Sequence, residues 1–163
     1  MSVLTTDRLA LREMVDGDLD SIATLLGDED VMRYYPRPKT RGEARGWIAW
    51  NRSLYRQHGF GLWIMTLIAG GGFVGECGLT IQRVDNVNEV EVGYHVMPEY
   101  QHRGYAVEAA AACLRVAGER FGIDRVIAVI NPDNLPSRRV AERIGLRPEK
   151  HSTMYGHDRL IYT

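Results

Sequence analysis

A mixed α/β fold built on one sheet is predicted by three features of this sequence. Segments of period-two hydrophobicity alternate with segments of helical period, and Gly or Pro stands at most of the junctions. The run Val126-Ile127-Ala128-Val129-Ile130 is apolar without alternation, as in a strand buried on both faces. The succession of strand, two helices, three strands, helix, strand, helix and closing strands fits a single layered α/β unit.

Taken in order, Val3 to Met14 reads as an opening strand, with Leu9 and Leu11 alternating against Arg8, Ala10 and Arg12. Asp16-Gly17-Asp18 starts a helix that carries Ile22, Leu25 and Leu26 and ends near Gly27. Thr40 and Glu43 have the spacing of a capping box. That box opens an amphipathic helix with Trp47, Trp50, Leu54 and Tyr55 on one side, closed by Gly59. Gly61 to Ile68 and Phe73 to Gln82 are strands flanking a Gly70-Gly71-Gly72 hairpin turn. Glu89 to Val96 is a strand stopped by Pro98, which cannot donate to a ladder. Ala106 to Phe121 is a helix with Val107, Ala110, Leu114, Ala117 and Phe121 as its apolar stripe, ended by Gly122. Arg125 to Ile130 is the doubly buried strand. Pro136 suits the first turn of a short helix through Ile144, and Leu146 to Thr163 has room for two strands.

Composition excludes several classes. A chain of 163 residues is expected to form one domain, residues 1–163, with a core that needs no staples. A net charge of −1 argues against a sequence-independent grip on nucleic acid. No apolar run approaches a membrane span, and the N-terminal residues lack the apolar segment of a signal peptide. Two cysteines, Cys77 and Cys113, fit a reducing compartment, so a cytoplasmic location is expected, as a monomer or a homodimer. The five histidines and two cysteines have no metal-ligand spacing.

Chemistry concentrates between Val92 and Ala106. A strand ends there, a short polar loop follows, and a helix begins, which leaves free N–H groups and the positive end of the helix dipole facing an anion. Gly104 removes a Cβ where the backbone must come close to a ligand, or else serves only the turn.

Gln101-x-x-Gly104-x-Ala106 resembles the pyrophosphate loop of the GNAT superfamily of N-acetyltransferases. Asn134-x-x-Ser137-x-x-Val140, followed by Ile144-Gly145-Leu146, is similar to that family's second signature. The opening Leu4-x-Thr6-x-Arg8-Leu9-x-Leu11-Arg12, with Asp18 after it, resembles the RimJ/RimL-type branch, as do Phe60-Gly61-Leu62-Trp63 and Gly75-x-Cys77-Gly78-Leu79. The resemblance implies a mostly antiparallel mixed sheet, splayed at its centre, with helices on both faces. It implies acetyl-CoA as co-substrate. Pantetheine would lie along Tyr94, His95 and Val96, and N–H groups of Gln101, His102, Arg103, Gly104, Tyr105 and Ala106 would hold the pyrophosphate. Asn134 would bond the cofactor, or cap the following helix. The acceptor is an amine, either a protein N-terminus or a small molecule.

An amine with a pKa of about 10 must lose a proton before it attacks. Glu91 falls where many family members carry a glutamate base; the plainer reading makes Glu89 and Glu91, on one strand face, partners of Arg or Lys. The tyrosine acid that many relatives carry after the second signature is replaced by Ala141. Ser137 is the substitute the resemblance implies, with helix start as its other reading. His95 is either a site residue or a structural histidine. The absence of that tyrosine also keeps open a module that binds acetyl-CoA as sensor or scaffold without turnover. The acceptor is expected over Asp28 to Lys39 and over Glu149 to Asp158.

Overall fold

The computed structural model describes residues 1–163. Eight strands form one sheet: β1 (Leu4–Thr5), β2 (Leu9–Arg12), β3 (Leu62–Leu67), β4 (Phe73–Val84), β5 (Val87–Val96), β6 (Val126–Ile130), β7 (Pro148–Met154) and β8 (His157–Tyr162). Four helices accompany them: α1 (Leu19–Gly27), α2 (Arg41–His58), α3 (Tyr105–Phe121) and α4 (Leu135–Arg143). The order across the sheet is β1-β2-β3-β4-β5-β6-β8-β7. Every neighbouring pair is antiparallel except β5 and β6.

The expected opening strand is two strands. The chain turns back at Thr6–Arg8, so β1 pairs with β2 (Leu4 opposite Leu11), and the turn is held by the Thr6 N–H donating to Leu9 O at 2.8 Å. No Gly or Pro announces this turn. Leu9 and Leu11 face the core as expected. Arg12 reaches Asp18 with two guanidinium nitrogens at 2.9 and 2.7 Å, and Asp18 also accepts the Val15 N–H at 2.8 Å. That fork ties β2 to the entry of α1. Burial pushes the Asp18 carboxyl up, but its hydrogen bonds with Arg12 and Val15 more than offset this and hold it below its ordinary range.

The capping box on α2 is closed at both ends: the Glu43 N–H donates to Thr40 Oγ1 at 3.2 Å, and the Thr40 N–H donates to the Glu43 carboxylate at 2.7 Å. A cap of this kind contributes about 1 kcal/mol. The buried face of α2 is Ala44, Ile48, Asn51, Leu54 and Tyr55, while Trp47 and Trp50 are only half-buried. Asn51 is wholly buried and satisfied, accepting the Leu62 N–H at 2.8 Å and donating to Trp47 O at 3.1 Å.

β4 and β5 form a longer hairpin than alternation alone predicts. Arg83 and Val84 continue β4, Val87 and Asn88 begin β5, and Asp85-Asn86 form the two-residue turn, both at positive φ (47° and 68°). The buried side of α3 is Ala109, Ala110, Ala112, Cys113 and Ala117, so its face is smaller than the expected stripe; Val107, Leu114 and Phe121 are half-buried at its margin. These small residues bring α3 close to the sheet.

Adjacent residues of β4 show that helices cover both faces. Side chains alternate along a strand. Glu76 meets Trp47 of α2 on one face, and Cys77 lies 3.7 Å (Sγ to Sγ) from Cys113 of α3 on the other. α4 packs against β6 and α3. No helix is long and apolar enough to cross a membrane.

Candidate active site

β5 and β6 run parallel and are paired only at Val90 with Val126 and Glu91 with Ile127. Beyond Glu91 they part, and Val92 to Val96 keep a ladder partner on the β4 side alone. A strand edge in the middle of a sheet needs a partner for its N–H and C=O groups. An extended molecule with amides of its own, such as pantetheine, fits that edge.

The loop at the end of β5 turns twice through the left-handed region, at His102 (φ 60°) and Gly104 (φ 81°). Glycine adopts that conformation without the penalty a Cβ brings. A Cβ built on Gly104 would come 3.4 Å from Arg8 Nη2, the end of a flexible side chain, so backbone conformation rather than packing is what favours glycine here. The Gln101 N–H is already engaged with Pro98 O at 3.2 Å, and the Gln101 amide donates to Val96 O at 3.0 Å, which closes the loop on the strand. From His102 to Val107 the N–H groups have no acceptor within the protein; the first N–H of α3 that does is Glu108, bonded to Gly104 O at 3.0 Å. Six consecutive donors at the start of a 17-residue helix are a donor set suited to a pyrophosphate. Within the stretch expected to hold it, Gln101 acts as a brace, and Val107 is a donor the motif did not point to.

Two faces of β5 carry different groups. Glu91, Gly93 and His95 share the α2 face, whereas Val92, Tyr94 and Val96 share the α3 face. Glu91 stands at the point where the strands part, and its Oε2 accepts a hydrogen bond from Thr80 Oγ1 at 3.1 Å. Burial raises its pKa. Glu89, two residues earlier, is taken up in an ion pair with Arg125 (3.1 Å), which also holds Glu149 (2.7 Å).

Across the gap, Tyr94 Oη donates to Ser137 O at 2.9 Å and lies 3.1 Å from Ser137 Oγ. Burial raises the Tyr94 pKa, so it keeps its proton. The Ser137 N–H donates to Asn134 Oδ1 at 3.1 Å, so Asn134 is the cap of α4. Ala141 is fully buried and offers no hydroxyl.

The chain matches the family model described as "Acetyltransferase (GNAT) domain" over residues 8–147. It belongs to the GNAT acetyltransferases. Among relatives of this acetyltransferase, YkkB of Bacillus subtilis (strain 168), a protein described as uncharacterized, is 38% identical over 148 residues, covering 90% of this chain and 86% of YkkB. YnaD of the same organism, described as an uncharacterized N-acetyltransferase, is 29% identical over 147 residues, or 90% of this chain and 83% of its own. An acetyltransferase from Agrobacterium tumefaciens str. C58 superposes with a TM-score of 0.83 at 26% identity, covering 98% of this chain and 91% of that one. RimL, a ribosomal L7/L12 α-N-protein acetyltransferase solved with coenzyme A, shares the fold (TM-score 0.78, 18% identity, 99% and 96% covered). The branch is the RimJ/RimL-type one, its mostly antiparallel sheet is splayed between β5 and β6, and enzymes of this family use acetyl-CoA.

One cluster in this acetyltransferase went unseen in the sequence. Glu76, fully buried on β4, accepts the Trp47 indole N–H at 3.0 Å and meets His95 Nδ1 at 2.8 Å. His95 Nε2 in turn meets Tyr35 Oη at 2.8 Å, from the segment between α1 and α2. His95 is thus a structural hub as well as a residue of the cleft strand. A Glu at the same strand parity as Val74 and Gly78 was the available signal. In the turn after α1, Asp28 Oδ1 accepts the N–H groups of Asp30 and Val31, and Asp30 pairs with Arg33 at 2.7 Å. Of the other histidines, His102 belongs to the loop after β5, His58 stacks on Phe60 and His151 lies beside Asp158; no group of three potential ligands is poised for a metal.

Proposed function

We propose that this enzyme moves the acetyl group of acetyl-CoA onto a primary amine, a protein N-terminus or a small molecule, by direct attack. Acetyl-CoA supplies an activated thioester. The N–H groups of His102 to Val107 hold its pyrophosphate, and the free edge of Tyr94 to Val96 pairs with its pantetheine arm. The observation that carries the reading is Glu91, a carboxyl made more basic by burial, at the fork where β5 and β6 separate.

Glu91 takes one proton from the ammonium. The amine nitrogen then bonds to the acetyl carbon while a β5 amide donates to the carbonyl oxygen, where negative charge develops. The C–S bond breaks as the N–C bond is kept; of the two protons left on nitrogen, one ends on sulfur and the other stays on the amide. Ser137 and Tyr94, 3.1 Å apart at the α4 side of the cleft, relay that proton in place of the absent tyrosine. On the acceptor side Tyr35 contributes a hydroxyl fixed by His95.

A panel of amines and peptide N-termini, read by release of the free CoA thiol, identifies the acceptor. With that acceptor, Glu91→Gln is expected to lower turnover by about 10²–10⁴-fold, the scale of a lost general base. Wild-type turnover in the Gln variant across pH rejects Glu91 as the base, and no thiol release with any amine rejects the reaction.

A further inference from the structure

The N-terminal motif has a part that packing does not explain. Leu9 and Leu11 serve the core and Arg12 serves Asp18, but Thr6 and Arg8 reach across to the first turn of α3. Glu108 lies in that turn. Its placement is paradoxical, because a bare carboxylate next to the donors of a phosphate site repels the anion those donors attract. Glu108 is not bare. Its Oε1 accepts the Thr6 hydroxyl at 2.5 Å and the Arg8 N–H at 2.9 Å, and its Oε2 accepts Arg8 Nε at 2.6 Å. Although burial raises its pKa, these bonds hold the carboxyl below its ordinary range, so it is ionised at neutral pH.

Arg8 also grips the loop. Its Nη1 donates to Arg103 O at 3.0 Å, and its guanidinium lies 4.3 Å above the Tyr105 ring. One side chain therefore touches Arg103 and Tyr105, inside the segment whose N–H groups stand free, and Glu108, the residue that follows it. With the Arg103 carbonyl turned to Arg8, the N–H groups of this stretch are left to face a ligand.

We infer that Arg8, supported by Thr6, is a positioning residue for cofactor binding: it neutralises Glu108 beside the pyrophosphate loop and fixes the loop's carbonyl so that its N–H groups converge on the anion. The inference rests on the proposal that residues 102–107 hold the pyrophosphate. In sequence terms, it gives the Thr-x-Arg element on β1–β2 a role in cofactor affinity although it lies some 95 residues from the loop it braces.

Calorimetric titration with coenzyme A, with a thermal melt on each protein, tests it. Arg8→Ala is expected to weaken binding at least about fivefold, the scale of a full charge at a helix N-terminus. Adding Glu108→Gln to that variant is expected to restore most of the loss, because the uncompensated charge is gone. A brace with only a structural role predicts the opposite, since the double variant keeps no part of the ion pair. Arg8→Met, which retains the apolar stem over Tyr105, replaces Arg8→Ala if the latter melts early. Less than fivefold weakening in a folded Arg8 variant, or a double variant no tighter than the single one, overturns the inference. Gly104→Glu separates the two levels. If it too leaves coenzyme A affinity unchanged, the loop assignment itself fails; if it abolishes binding while the Arg8 variant binds normally, only the role of Arg8 fails.

Discussion

Two carboxylates on the α2 face of the sheet are treated differently by their surroundings, and the difference separates structure from chemistry. Glu76 is fully buried but has Trp47 and His95 as partners, so its polar atoms are satisfied. Glu91 has the Thr80 hydroxyl, and burial raises its pKa. The raised value has a consequence for stability. At pH values below the unfolded chain's ordinary value of about 4.3, Glu91 is mostly protonated in both the folded and the unfolded chain. As pH climbs through the raised folded-state value, the unfolded chain releases its proton first, and stability is lost. Glutamine cannot ionise and escapes that loss. Glu91→Gln is therefore expected to match the wild type in urea unfolding near pH 4 and to exceed it at pH 7.5, while being the less active protein. A variant equally or less stable at pH 7.5 contradicts the burial of an ionisable Glu91.

Glycines at paired positions of neighbouring strands differ in how tightly they are required, and β4 and β5 provide a matched pair. Gly78 and Gly93 face each other in the ladder. A Cβ on Gly78 would lie 2.0 Å from Gly61 O, a backbone atom that cannot move without shifting β3. A Cβ on Gly93 would meet only Leu62 Cδ2 at 3.4 Å, the end of a side chain. Gly78→Ala is expected to cost about 3 kcal/mol or more, at the upper end of overpacking, and Gly93→Ala about 1 kcal/mol or less. Urea midpoints compare them directly, and equal losses contradict the close approach of β3 to β4. This approach is invisible in the sequence, where both positions are simply glycines in strands. What was legible is local. Thr40 with Glu43, the glycines after α2 and α3, Pro136 within α4 and the loop from Gln101 to Ala106 all act within a few residues of themselves. The turn at Thr6–Arg8 was missed because no glycine or proline marks it, and Asp85-Asn86 because alternation fades before the hairpin closes. The Tyr35–His95–Glu76–Trp47 chain gathers residues from β4, β5, α2 and the segment before α2, so only the assembled sheet brings it together.

At the scale of the molecule, a single break in the sheet organises everything else. β5 and β6 touch for two ladder positions and then part, and the fork opens toward the N-terminus of α3, with α2 on one face and α3 on the other. Glu91 lies at the root of the fork, Tyr94 and Ser137 cross it, and the donors of His102 to Val107 stand at its mouth. The central claim is that this fork is the acetyl-CoA site. Titration of the ¹⁵N-labelled enzyme with coenzyme A, following backbone amide resonances, tests it most directly. Saturable binding is predicted, with the largest shifts at His102 to Val107 and along Tyr94 to Val96, and small ones on β7 and the exposed side of α4. Absence of saturable binding, or shifts centred away from the fork with residues 102–107 unperturbed, would contradict it.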